Sequence, residues 1–217
     1  MKYVFPIKRF YIHILKPMQV HTCLEKQKKT MAVMRNVFLM IFAAIHMVSG
    51  QKMNENKYQR AILASGCFWG TEYHLKRIPG VISTRCGYTG GHVPNPTYKQ
   101  VCTGTTGHAE AVEVVYDPTQ VSFETICKVF FETHDPGQLN RQGPDIGHQY
   151  RSAVFYLNEE QKRITEKLIA ILREKGHKVV TELTPAGEFY PAEDYHQNYY
   201  DTKGTTPYCH FYVKKFD

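Results

Sequence analysis

Ala61-Ile62-Leu63-Ala64, followed after Ser65 by Gly66-Cys67-Phe68-Trp69-Gly70, is the stretch that sets the fold class. The first four residues read as a short buried strand. Gly66 allows a tight turn, and the chain from Cys67 to Ile78 reads as a helix stopped by Pro79-Gly80. Outward from this strand–turn–helix the same alternation continues. Val81 to Tyr88 reads as a strand ending at Gly90-Gly91, and Ala111 to Tyr116 as another, with Val112, Val114 and Tyr116 on one face. Ser122 caps a helix carrying Phe123, Ile126, Cys127, Phe130 and Phe131 at helical spacing. Ala153 to Leu157 reads as a strand. Asn158, with Gln161 three residues on, opens a long amphipathic helix ended by Gly176. Lys178 to Leu183 reads as a final strand, and the 34 residues after it are rich in Tyr, Gly and Pro with little periodicity. The expectation is an α+β fold: a two-layer sandwich with a ferredoxin-like mixed sheet covered by helices, and a long irregular C-terminal tail.

The 217 residues, 42% hydrophobic and 13% aromatic, suffice for one substantial core. The formal charge of +7 is unevenly spread. Residues 1–60 carry 11 Lys/Arg against 2 Asp/Glu, whereas residues 61–217 carry 16 against 18. The basic character belongs to the N-terminal extension, so the globular part has no electrostatic footprint for nucleic acid. Among the six cysteines no two lie within four residues of each other, so paired zinc-ligand spacing is absent and no metal is expected.

Residues 1–57 read as a basic extension and 58–217 as the catalytic domain. Within the extension, Met34-Arg35-Asn36, an apolar run from Val37 to Val48 and Ser49-Gly50 resemble a secretory signal peptide, too short for a stable membrane span. Its distance from Met1 is unusual, and a start at Met31 or Met34 would remove the difficulty. The secretory pathway or the extracellular space is favoured, with the mitochondrion and the cytoplasm as alternatives.

Cys67 sits where a strand ends and a helix begins. Unsatisfied amides and the helix dipole favour negative charge there, so a thiolate is expected, and a thiolate is a nucleophile. Phe68 and Trp69 beside it diverge along a helix and are candidates to wall an apolar pocket. A buried structural cysteine at a strand–helix junction is the competing reading.

The pentapeptide Gly66-Cys67-Phe68-Trp69-Gly70 resembles the signature of the A-type peptide-methionine (S)-S-oxide reductases. Four further segments are similar to that family in order and spacing: Gly87 to Gly91 with Asn95-Pro96-Thr97-Tyr98, Val101 to Glu110, Asp145 to Ser152, and Ala192 to Gln197. The resemblance implies reduction of methionine S-sulfoxide, free or in oxidised proteins, as repair of oxidative damage. Cys67 is the implied nucleophile and Glu110 the acid. Tyr98 and Tyr150 are implied hydroxyl donors to the sulfoxide oxygen, with Asp145 ordering water. Phe68, Trp69, His196 and Tyr199 are implied substrate-binding residues. A sulfenic acid on Cys67 condenses with a second thiol. Cys209, in Thr206-Pro207-Tyr208-Cys209, is the best candidate for it, and thioredoxin or a similar dithiol would reopen the disulfide. Neither a metal nor an organic cofactor is implied, and a monomer is expected. Cys86, Cys102 and Cys127 read as buried.

On pattern alone, Glu110 reads as solvated, Tyr98 as a turn aromatic and His196 as a surface histidine. Three other functions compete: a thiol hydrolase using Cys67 with His108 or His196, a thiol peroxidase, and a non-catalytic peptide-binding module.

Overall fold

A computed structural model describes residues 57–216. The remainder of the basic extension, with its signal-like segment 34–50, lies outside the described residues. The chain begins with β1 (Gln59–Ser65), α1 (Phe68–Leu75) and β2 (Val81–Thr89). A one-turn helix α2 (Tyr98–Val101) precedes β3 (Ala109–Tyr116) and α3 (Phe123–Glu132). A small hairpin, β4 (Arg141–Gln142) with β5 (Asp145–Ile146), leads to β6 (Ser152–Tyr156) and α4 (Glu159–Glu174). Strands β7 (Glu182–Pro185) and β8 (Phe189–Pro191) and helix α5 (Tyr199–Lys203) complete the described elements.

The main sheet has the order β7-β6-β1-β3-β2-β8, with only the β6–β7 pairing parallel. Its centre, β6-β1-β3-β2 with α1 and α3 as connections, is the βαββαβ arrangement of a ferredoxin-like α+β fold.

Alternation along the strands sorts the two faces. Ala61, Leu63, Val112, Val114 and Val154 pack under the helices with Phe123, Ile126, Phe130, Leu168 and Leu172. Ile62, Ala64, Ala109, Ala111, Ala153 and Phe155 form a thinner layer on the opposite face, against Ala186 and Phe189. Fully burying each Leu, Ile or Phe contributes about 1.5–3 kcal/mol. The exposed-to-buried bridges of Arg60 and Arg85 to Glu113 add far less.

Two expected boundaries move. The first helix ends at Leu75, because Arg77 and Ile78 close tighter turns onto His74 and Leu75 ahead of Pro79. The last expected strand begins at Glu182 instead of Lys178. The Val180 amide donates to the Pro136 carbonyl, which holds that run against a loop and off the sheet. The tail also contains β8, which pairs with β2 through Gly87–Thr89. Among the described residues, no helix is long and apolar enough to cross a membrane.

Helix α4 starts as its sequence requires. Asn158 Oδ1 accepts from the Gln161 amide at 2.9 Å, and Gln161 Oε1 accepts from the Leu157 amide at 2.9 Å. Asn158→Ala should lower the free energy of unfolding by about 1 kcal/mol. Urea denaturation would read this as a lower midpoint at unchanged slope.

Candidate active site

β1 delivers the chain to the site through Gly66, whose φ of +102° favours glycine. A Cβ there would also stand 2.5 Å from Gln142 Cβ. Cys67 then caps α1, its carbonyl accepting from the Gly70 amide at 3.1 Å and the Thr71 amide at 3.3 Å. A Cβ on Gly70 would collide with the His210 ring. The two glycines around Cys67 therefore make room for a loop on one side and the C-terminal tail on the other.

The expected thiolate is not what this turn holds. Cys67 is 6% exposed, and burial raises its thiol well above the ordinary 9.0. The nearby Glu110 raises it further, while the Trp69 amide pulls the other way. A helix terminus contributes about 0.3–1 kcal/mol, whereas burying an ion costs several. Cys67 rests as a thiol.

Glu110 lies on the central strand β3, opposite Tyr88 of β2, and is 1% exposed. Burial raises its carboxyl to about 8, against the Phe68 amide that donates to Oε2 at 3.1 Å. At neutral pH it is a carboxylic acid positioned by the residue that follows Cys67. Tyr98 opens α2, and Tyr150 ends the 3₁₀ turn His148–Tyr150. Both hydroxyls are raised by burial and then by neighbours that include Glu110. Glu110 thus acts electrostatically on both phenols.

The aromatic residues divide. Phe68 is 1% exposed and packs in the core, its ring 5.9 Å from Tyr88 and 4.9 Å from His196. Trp69, half-buried, stacks on Tyr199 with centroids 3.7 Å apart and planes at 4°. Its Nε1–H donates to His196 Nδ1 at 3.0 Å. The proton of neutral His196 must then lie on Nε2, a buried atom with no hydrogen-bond partner among the described residues. Glu193 Oε2 is 3.9 Å from it.

This arrangement removes the histidine base that a thiol hydrolase needs. His196 has no free lone pair. His108 Nδ1 accepts from the Gly91 amide at 3.1 Å and Nε2 reaches the Val93 carbonyl at 2.8 Å, so both nitrogens hold a loop.

A second group surrounds the tail. Asp145, expected to order water, accepts from the Tyr208 hydroxyl at 3.0 and 3.1 Å. Cys209 is 7% exposed, and both Cys209 and Asp145 act electrostatically on Cys67. A cavity of about 400 Å³ opens on this side, lined by Asp135, Gln142, Pro144, Tyr208, Cys209 and Phe211 among others. Cys67, Cys86, Cys102, Cys127 and Cys209 are all free thiols. Cys86 and Cys127 are core residues, but Cys102 is exposed at the end of α2, contrary to expectation. Among the described residues, no three His, Cys, Asp or Glu side chains converge as a metal site.

Three contributors were not among the candidate site residues, although Glu193 and Tyr208 lie within runs singled out above. Glu193 accepts from the Tyr88 hydroxyl at 2.8 Å and the Tyr98 amide at 2.9 Å, fixing α2 over the site. Tyr208 engages Asp145, and His210 packs on Gly70. Each lies in a run whose polar residues look solvated; the fold buries His210 and gives Glu193 and Tyr208 their partners.

A family model described as peptide methionine sulfoxide reductase matches residues 59–217. A protein of Saccharolobus solfataricus named peptide methionine sulfoxide reductase MsrA is 54% identical over 161 residues, covering 72% of this chain and 91% of its own. Among solved structures, reduced Mxr1 from Saccharomyces cerevisiae aligns with a TM-score of 0.69 at 34% identity, covering 74% of this chain and 95% of that one. The same yeast protein in complex with Trx2 aligns at 0.51 and 24% identity, covering 74% and 94%, which is a likeness of fold.

The protonation states make a direct prediction. Alkylation of Cys67 by iodoacetamide, followed by peptide mass, should accelerate with pH and show a midpoint well above 9. Above about pH 8 Glu110 is ionised and opposes the thiolate. Glu110→Gln should therefore move the midpoint down, and an unchanged midpoint would show that the two groups do not sense each other.

Proposed function

This chain belongs to the peptide methionine sulfoxide reductase family, and from that membership we propose how its residues carry out the family's reaction, the reduction of methionine sulfoxide. Cys67 sulfur attacks the sulfoxide sulfur. The S–S bond so formed then breaks with its electrons to the methionine sulfur as the protonated oxygen moves to Cys67 as hydroxyl, leaving a sulfenic acid and releasing methionine. Glu110 gives its proton to the oxygen and regains one from the thiol, so the acid is restored. The Tyr98 and Tyr150 hydroxyls donate to the same oxygen, and Trp69, backed by Phe68, His196 and Tyr199, holds the methyl end. The substrate is the S epimer, free or in oxidised proteins.

The observation that carries this reading is a buried carboxyl raised to about 8 and hydrogen-bonded to the amide next to the nucleophile. Sulfoxide oxygen leaves only when protonated, and a neutral acid at physiological pH supplies that proton. A hydrolase would need a base instead.

Cys209 then attacks the Cys67 sulfenic acid, and water leaves as a disulfide forms. Cys209 is buried but lines an open cavity, which supports access by a dithiol reductant, for which thioredoxin is the proposed partner. The yeast relative solved with Trx2 supports the same choice. The enzyme acts as a monomer. Residues 58–217 form the catalytic domain, and residues 1–57 a basic extension with a signal-like segment that favours export.

Methionine release followed separately for each sulfoxide epimer tests the scheme. Cys67→Ser should abolish release, and Glu110→Gln should slow single-turnover release about 10²-fold. The wild-type rate should fall as pH rises through about 8, where the acid is lost. Cys209→Ser should give one methionine per enzyme and then stall with thioredoxin as reductant. Full activity of Cys67→Ser would sink the nucleophile assignment.

A further inference from the structure

His210 follows the resolving cysteine and is 2% exposed, with both ring nitrogens engaged. Nε2 lies 2.8 Å from the Ser65 backbone carbonyl oxygen, which only accepts. The ring proton of the neutral imidazole therefore sits on Nε2, and Nδ1 presents a lone pair. Cys209 Sγ is 3.1 Å from that Nδ1, so the thiol donates to it.

The ring is held by the nucleophile's own turn. It lies on Gly70, and Nε2 is also 3.4 Å from Ser65 Oγ. That hydroxyl pairs with Thr71 Oγ1 at 2.7 Å, and Thr71 Oγ1 reaches the Cys67 carbonyl at 3.3 Å. Asp145 is the rival proton acceptor: it acts on Cys209 by its charge and as a hydrogen-bond partner, while it also accepts from the Tyr208 hydroxyl, and unchanged resolution in His210 variants would assign the proton to it.

We propose that His210 is the general base of the resolving step, taking the Cys209 thiol proton on Nδ1 as Cys209 attacks the Cys67 sulfenic acid. The proposal rests on the sulfenic-acid reading above. The bond formed joins Cys209 Sγ to Cys67 Sγ, and the bond broken is the sulfenic S–O. Cys209 sulfur is oxidised and Cys67 sulfur reduced, so no outside oxidant enters. The leaving oxygen takes the proton that His210 received and departs as water, restoring the neutral imidazole.

Burial holds the imidazole down to about 4 and the thiol up to about 12, so the proton stays on sulfur at rest. Transfer leaves the pair's net charge at zero, and the attraction of the new charges across 3.1 Å offsets much of their desolvation. His74, whose Nε2 is 3.4 Å from the His210 carbonyl, acts on the ring, and buried His134 is electrostatically coupled to it.

The test is rapid-quench single turnover without reductant, following methionine and the Cys67–Cys209 disulfide together. His210→Gln keeps a donor toward Ser65 but no lone pair at the Nδ1 position. His210→Asn offers an acceptor there that is not basic. In both variants the ratio of disulfide rate to methionine rate should fall by about 10²-fold, with dimedone-trapped Cys67 sulfenic acid accumulating. A wild-type ratio in either variant overturns the proposal. In the wild-type protein, long-range ¹H–¹⁵N correlation should place the His210 proton on Nε2, and a proton on Nδ1 overturns it even if the variants fold poorly. Methionine release from Cys209→Ser protein without a dimedone-reactive Cys67 would overturn the sulfenic-acid reading instead.

Discussion

The hydrogen bond from the Phe68 amide to the Glu110 carboxyl, 3.1 Å long, joins the first turn of α1 to the middle of the sheet. It is the constraint on which the site depends. β3 lies between β1 and β2, so a polar side chain on its helix-facing side is sealed from water. The amide satisfies one oxygen without supplying a charge, and burial prevails, leaving a neutral acid. This has a cost in stability. Between the ordinary carboxyl value of 4.5 and about 8, the folded chain keeps a proton that the unfolded chain has released. Stability from this group therefore declines as pH rises across that window.

In the proposed scheme the tail meets a different demand, bringing a second sulfur to Cys67 and later presenting it to a reductant. It is pinned on both sides of Cys209. Upstream, the Asn198 amide donates to buried Glu72 at 2.7 Å, and Asp201 pairs with Lys76 and Arg77. Downstream, the Val213 amide donates to the Glu132 carbonyl, and the Lys215 and Phe216 amides donate to Glu132 Oε1 at 3.0 Å. The segment between these anchors crosses the site with Tyr208 and Phe211 exposed on either side of a buried Cys209–His210 pair. Such a tethered loop has few conformations to lose when its sulfur approaches Cys67.

Much of the architecture was legible because periodicity reports burial directly. Alternation marked β3, and the helical spacing of Phe123, Ile126, Phe130 and Phe131 marked α3. Where a strand is buried on both faces, its polar members carry no such signal. Glu110 looked solvated beyond the start of an alternating run, yet β3 extends to Ala109 and encloses it. The run Val179-Val180-Thr181 has strand composition, but its partner is a loop far away in sequence. The thiolate expectation failed for a reason of magnitude. Sequence reveals a helix start but not the depth at which it is buried, and depth dominates here.

The two sulfur steps of the proposed scheme make opposite demands on protons. Sulfoxide reduction needs a proton delivered to a leaving oxygen, whereas disulfide formation needs one removed from a thiol. Unperturbed, a carboxyl is a base at neutral pH and an imidazole is about one quarter protonated. Burial reverses that order here, raising Glu110 to about 8 and lowering His210 to about 4. Both groups are neutral at the same pH, one able to give a proton and the other to receive one. Burial sets both values, and a single backbone contact beside Cys67 positions each group, the Phe68 amide for the acid and the Ser65 carbonyl for the imidazole. The turn that presents the proposed nucleophile thereby positions the proposed acid and base on its two sides. Acid and base steps can then follow each other without a change of conditions, because their catalysts do not compete for the same proton.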